Sequence, residues 1–146
     1  MSRRRFLHLT RAAATGVLLT ACDPAEKEKS PMGADEILSA AGLTTPDLET
    51  TVIDAPLEGT EKWSNVVTFS GPSDEVEAWV TDNYPNGIGS TAYKDDMAEY
   101  VERLGTGVQK EGDRIASGSD GAITTLVVVG QGETPEVHVV VRRTGR

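Results

Sequence analysis

The side chains able to do chemistry are few. Cys22 is the only cysteine of the 146 residues, and the two histidines are His8 and His138. His138 stands in the run Val137-His138-Val139-Val140-Val141, where strand alternation places it opposite the three odd-numbered valines. A nucleophilic triad needs a histidine beside an activated serine and an orienting carboxylate, and no Gly-x-Ser-x-Gly elbow is present. His138 therefore reads as a partly exposed strand histidine, and no catalytic residue is assigned. Zinc and copper sites draw on several cysteines and histidines, which this chain does not supply. Carboxylates are plentiful, but no Asp-x-Asp-x-Asp-Gly calcium loop occurs, and Ser117-Gly118-Ser119-Asp120-Gly121 reads as a turn. The expectation is a chain without metal or cofactor.

Two further patterns touch on chemistry. Gly87-Ile88-Gly89-Ser90-Thr91-Ala92 spells the dinucleotide fingerprint, but that motif needs a strand before it, whereas a helical stretch and Pro85 come first. Asp95 with Asp96, or Glu99 with Glu102, could be imagined as a glycosidase pair. Beside Met97, Tyr100 and Leu104 they fit the wet face of an amphipathic helix better. Of the large aromatics, Trp79 and Tyr100 fall at core spacing, while Trp63, Tyr84 and Tyr93 lie at the edges of loops and form the expected binding patch.

The elements that would position these residues can be read from periodicity and punctuation. Ala34 to Ala41 has Ile37, Leu38 and Ala41 on one face, acids in its first turn and Gly42 as a stop, which predicts a short helix. Thr50 to Ile53 and Ser64 to Phe69 are β-rich runs bounded by Pro56, Gly59 and Gly71, predicting two neighbouring strands. Pro72 to Tyr84 places Val76, Trp79, Val80 and Tyr84 on one stripe and is the strongest predicted helix. A loop over Tyr84 to Ala92 precedes a further predicted helix, Lys94 to Leu104, whose stripe is Met97, Tyr100, Val101 and Leu104. Arg114 to Ala116, Ile123 to Val129 and Val137 to Arg143 are predicted strands, the last two forming a hairpin through Gly130 to Pro135. Strands at both ends and helices between them predict an α+β fold: a small two-layer sandwich, mostly antiparallel, with two or three helices on one face.

Hydrophobic residues at 38% and charged residues at 25% suit one globular domain. The formal net charge is −9, and residues 1–21 contain four arginines and no acid, so the remainder carries −13. Such a surface repels phosphate backbones and anionic headgroups, which disfavours nucleic acid as a partner.

Those first residues have an order of their own. Arg3, Arg4 and Arg5 open the chain, Ala12 to Leu19 form a modest apolar stretch, and small residues precede Cys22, which is the three-part layout of an export signal. The apolar run falls short of the roughly 20 residues that cross a bilayer, so no spanning helix is expected. Leu19-Thr20-Ala21-Cys22 resembles the lipobox of bacterial lipoproteins. That resemblance implies cleavage before Cys22 and a diacylglyceryl group on its sulfur, and hence two acyl chains. One chain binds a membrane reversibly at about 0.8 kcal/mol per buried methylene, whereas two hold stably.

Ser2-Arg3-Arg4-Arg5-Phe6-Leu7-His8 resembles a twin-arginine signal, with Arg3, Arg4, Phe6 and Leu7 as the recognition residues and His8 where lysine is commoner. General secretion is the other route. Asp23 resembles the residue that retains lipoproteins at the inner membrane of two-membraned cells.

The domain plan is then a signal peptide at 1–21, a lipidated cysteine with a polar, proline-flanked tether at 22–33, and one acidic domain at 34–146. The tether could lift the domain by about 35 Å. The stretch from Trp63 through Phe69 and Pro72 to Trp79 is similar in general look to small exported lipoproteins of high-GC Gram-positive bacteria. The expected function is a lipid-anchored, extracytoplasmic binding module for an envelope protein or small ligand, attached to the cell membrane through its lipid. The alternative is a small carboxylate-dependent hydrolase or carbohydrate-active enzyme.

Overall fold

The computed structural model describes residues 33–55, 57, 59–89 and 112–145. The signal residues Arg3, Arg4, Phe6 and Leu7, the anchor Cys22, Tyr93 and the predicted helix Lys94 to Leu104 lie outside the described residues.

Five strands form one antiparallel sheet: β1 (Thr50–Asp54), β2 (Glu61–Ser70), β3 (Arg114–Asp120), β4 (Ile123–Val129) and β5 (Glu136–Thr144). Their order is β1-β2-β5-β4-β3. Among the described residues two helices, α1 (Ala34–Ala40) and α2 (Ser73–Asn83), accompany the sheet, and the fold is α+β.

β5 is central because its valines can be buried on both faces. Val137, Val139 and Val141 join one apolar cluster, while Val140, between them in sequence, joins another with Val66, Leu126 and Val128. A strand wet on one face alternates apolar and polar, and a strand covered on both reads as a continuous apolar run. The register sets Val67 of β2 and Val127 of β4 on either side of Val139. The first cluster is the larger and takes in both helices: Ile37 and Leu38 from α1, and Val76, Trp79 and Val80 from α2.

The helix ends follow from their residues. α1 stops in a Schellman arrangement, with the Leu43 N–H bonded to the Leu38 carbonyl at 2.8 Å and the Gly42 N–H to that of Ser39 at 3.0 Å. That geometry needs the left-handed backbone Gly42 adopts, with φ of 73°. α2 begins behind Pro72, and its first N–H, from Ser73, is taken by the Glu133 carbonyl of the β4–β5 loop at 3.1 Å.

One expectation needs correction. Ser117 to Asp120 continue β3 rather than turning, and the reversal is made by Gly121 and Ala122, with Asp120 paired to Ile123. β3 is an edge strand, and its Ser117, Gly118, Ser119 and Asp120 are all exposed, so polar and small residues can stand in it without burying an unpaired group.

Candidate functional site

A concave feature built from described residues lies between the α1–β1 segment and α2. It is a groove of about 490 Å³ lined by Thr44, Pro46, Leu48, Ala78 and Trp79, with the carboxylates of Asp47, Glu75 and Asp82 at its edges. α2 supplies Glu75, Ala78, Trp79 and Asp82 because i, i+3, i+4 and i+7 share one side of a helix.

The opposite wall is held by hydrogen bonds across almost forty residues of sequence. The Asn83 side chain accepts from the Thr44 N–H at 2.9 Å and donates to the Thr44 hydroxyl at 2.9 Å. Its amide nitrogen also reaches the Trp79 carbonyl at 2.9 Å. The Trp79 indole N–H donates to the Thr44 carbonyl at 2.7 Å. Beneath this wall the Trp79 ring meets Phe69 edge to face, with centroids 5.0 Å apart and planes at 74°. Leu48 reaches down over Gly71, where a Cβ would stand 2.7 Å from the leucine Cδ2.

Asp47, Glu75 and Asp82 are exposed, and α2 offers no basic residue in its last turn to balance them. The groove is thus a mixed polar and apolar cleft whose lining includes three exposed carboxylates, a charge that favours a cationic group. It is not a place where a carboxyl is withdrawn from water, as proton transfer by an acid pair would need. Among the described residues, no group of three or more His, Cys, Asp or Glu side chains is placed to hold a metal ion.

The residues singled out for a binding patch are not gathered here. Trp63 is 5% exposed and lies in the first core cluster, so its ring is part of the packing between sheet and helices and not a surface platform. Its position at a strand start suggested a loop edge, but β2 extends back to Glu61 and carries Trp63 onto the helix-covered face. Tyr84 is half-buried against the same cluster, and burial pushes its phenol above the ordinary value. Tyr93 lies outside the described residues.

His138 stands on the sheet face opposite Val137 and Val139, as alternation requires, with Nε2 3.2 Å from a Glu136 carboxylate oxygen. Burial lowers its pKa below the usual imidazole value, while Glu136 and Asp113 pull the other way. The groove was missed in the sequence because Thr44 to Leu48 is a loop without a motif. The one available signal was the spacing of Glu75, Ala78 and Asp82 on the outer side of the strongest helix.

No protein-family model, no curated protein and no solved structure matches this chain.

Proposed function

We propose that the chain is an exported lipoprotein, held at the extracytoplasmic face of the cell membrane by acyl chains on Cys22, whose folded domain acts as a non-catalytic binding module. The observation that carries this reading is the order of residues before the domain: arginines, then Ala12 to Leu19, then Leu19-Thr20-Ala21-Cys22, each in the place an export and lipidation signal needs it. Residues 23–33 between the anchor and α1 are polar and proline-flanked, which suits a tether. No described helix is long and apolar enough to cross a membrane, so an attached domain would depend on the lipid.

Within the domain, the acid-rimmed groove along α2 is the surface that supports a binding role, for a ligand or partner segment with a positive charge. Exposed carboxylates favour binding over carboxylate-based hydrolysis, which needs one acid kept protonated in a desolvated site. Of the finer architecture, we keep α1 and α2 as one helical layer on the sheet.

The test is metabolic labelling with a radioactive fatty acid, comparing the natural chain with Cys22→Ala. The natural chain is expected to take up label and sediment with membranes, and the variant to do neither. Equal labelling of the two, or a natural chain that stays unlabelled in the cytosol, removes the proposal.

A further inference from the structure

The sheet ends in a strand whose outer side is open. The order β1-β2-β5-β4-β3 puts β1 at one edge, and among the described residues no strand lies beyond it. Which of its backbone groups face outward follows from one hydrogen bond. The Ala55 N–H donates to the Ser64 carbonyl at 3.0 Å, and these two residues continue the register of Asp54 with Asn65. Bonded and non-bonded pairs alternate along an antiparallel ladder. Thr51 and Ile53 therefore turn their N–H and C=O groups to β2, while Thr50, Val52 and Asp54 turn theirs to the open side. Edges are ordinarily blunted by lysine, proline or a bulge, and residues 50–54 have none of these, pairing with β2 in unbroken register. The two large apolar side chains that stand exposed among the described residues are also here: Ile53 in β1, at 42%, and Leu57 just past its end, at 40%.

We infer that β1 is a docking edge, which takes an extended basic segment of a partner protein as a sixth strand. The class of partner follows from charge. From Thr44 to Leu57 the chain has Asp47, Glu49 and Asp54, all exposed, and no lysine or arginine. A second copy of the chain would bring the same acids to the same edge, with −13 on each mature chain, whereas a segment with lysine or arginine at its ends meets Glu49 and Asp54 favourably. Between those ends it would set apolar side chains beside Val52 on the helix-covered face and beside Ile53, the neighbour of Val66, on the other. This goes beyond the groove along α2 and stands if that groove binds nothing.

The test is an NMR titration of the full chain with a blocked peptide of alternating valine and threonine that carries lysines at both ends. The amide protons of Thr50, Val52 and Asp54 are expected to move downfield and gain protection from exchange, while those of Thr51 and Ile53 change little. Val52→Pro removes an outward N–H and no bond to β2, so it is expected to weaken peptide binding by about tenfold or more with the sheet retained. Where Val52→Pro loses the sheet signal, Thr50→Pro, on the same open side, decides. The same peptide with glutamates in place of its lysines is expected to bind about fivefold more weakly or worse. Equal shifts at inward and outward amides, unchanged binding by the proline variant, or equal binding of the acidic peptide overturns the inference. Outward amides already protected before peptide is added overturn it as well, since the chain itself or a second copy would then hold the edge.

Discussion

The indole N–H of Trp79 is bonded to the backbone carbonyl of Thr44 at 2.7 Å, which ties α2 to the segment leading into β1. A ring that is 4% exposed thereby serves both the core and the wall of the groove. Replacing Trp79 with Phe keeps an aromatic against Phe69 but removes the donor and leaves the Thr44 carbonyl without it. A lost partner of this kind costs about 1–3 kcal/mol, so the melting temperature should fall by several degrees. Asn83→Ala, at the exposed end of the same network, should cost about 1 kcal/mol. Equal melting curves for the Trp79→Phe variant and the natural chain would show that this bond contributes nothing.

Two glycines near this wall separate backbone strain from side-chain crowding. Gly42 has φ of 73° and open space around its missing Cβ, so Gly42→Ala should destabilise by about 1 kcal/mol through the backbone alone. Gly71 has no such φ, but a Cβ there would press on the end of the Leu48 side chain. Gly71→Ala should therefore displace the Leu48 methyl resonances in an NMR spectrum while costing less stability than a rigid clash would. Unmoved methyl signals would show that Leu48 does not rest on Gly71.

His138 gives a pH dependence with a definite sign. Its pKa in the fold lies below the ordinary imidazole value of 6.5 because burial disfavours the charged ring. Between the folded value and 6.5 the unfolded chain binds more protons, so stability rises with pH across that window. The contribution is complete above 6.5 and is lost as the pH falls through the folded pKa. Thermal melts should show a larger loss of stability between about pH 7.5 and about pH 5.5 for the natural chain than for His138→Gln. Glu136→Gln removes a nearby negative charge that raises the pKa, so an NMR titration should find His138 lower still in that variant. A titration at or above 6.5 in the natural chain would contradict the burial argument.

Much of the fold was legible because its elements carry their own local signals. Acids behind Pro72 and a four-residue stripe marked α2, Gly42 marked the end of α1, and the valine runs marked β4 and β5. What local signals could not give was pairing at a distance. The contact of β2 with β5 joins Val67 to Val139, and nothing in either run specifies that partner. The same limit explains Trp63 and the groove. The side a residue occupies depends on where its strand begins, and the groove depends on Asn83 and Trp79 both meeting Thr44.

The groove's charge makes the last prediction. With −13 on residues 22–146, a small polyamine will gather loosely over the whole surface at low salt, so affinity alone says nothing about a site. Location does. In an NMR titration with a triamine, backbone shifts should concentrate at Asp47, Leu48, Ala78 and Asp82, since there three carboxylates line one cleft beside Leu48 and Ala78. Asp82→Asn and Glu75→Gln should each weaken that response by about twofold, the scale of one exposed ion pair, and the double variant by more. Asp120→Asn, on the far sheet edge, should leave it unchanged. Shifts of equal size at Asp120 and Asp82 would mean that the polyamine reads net charge only, and the groove would lose its claim to be where this domain binds.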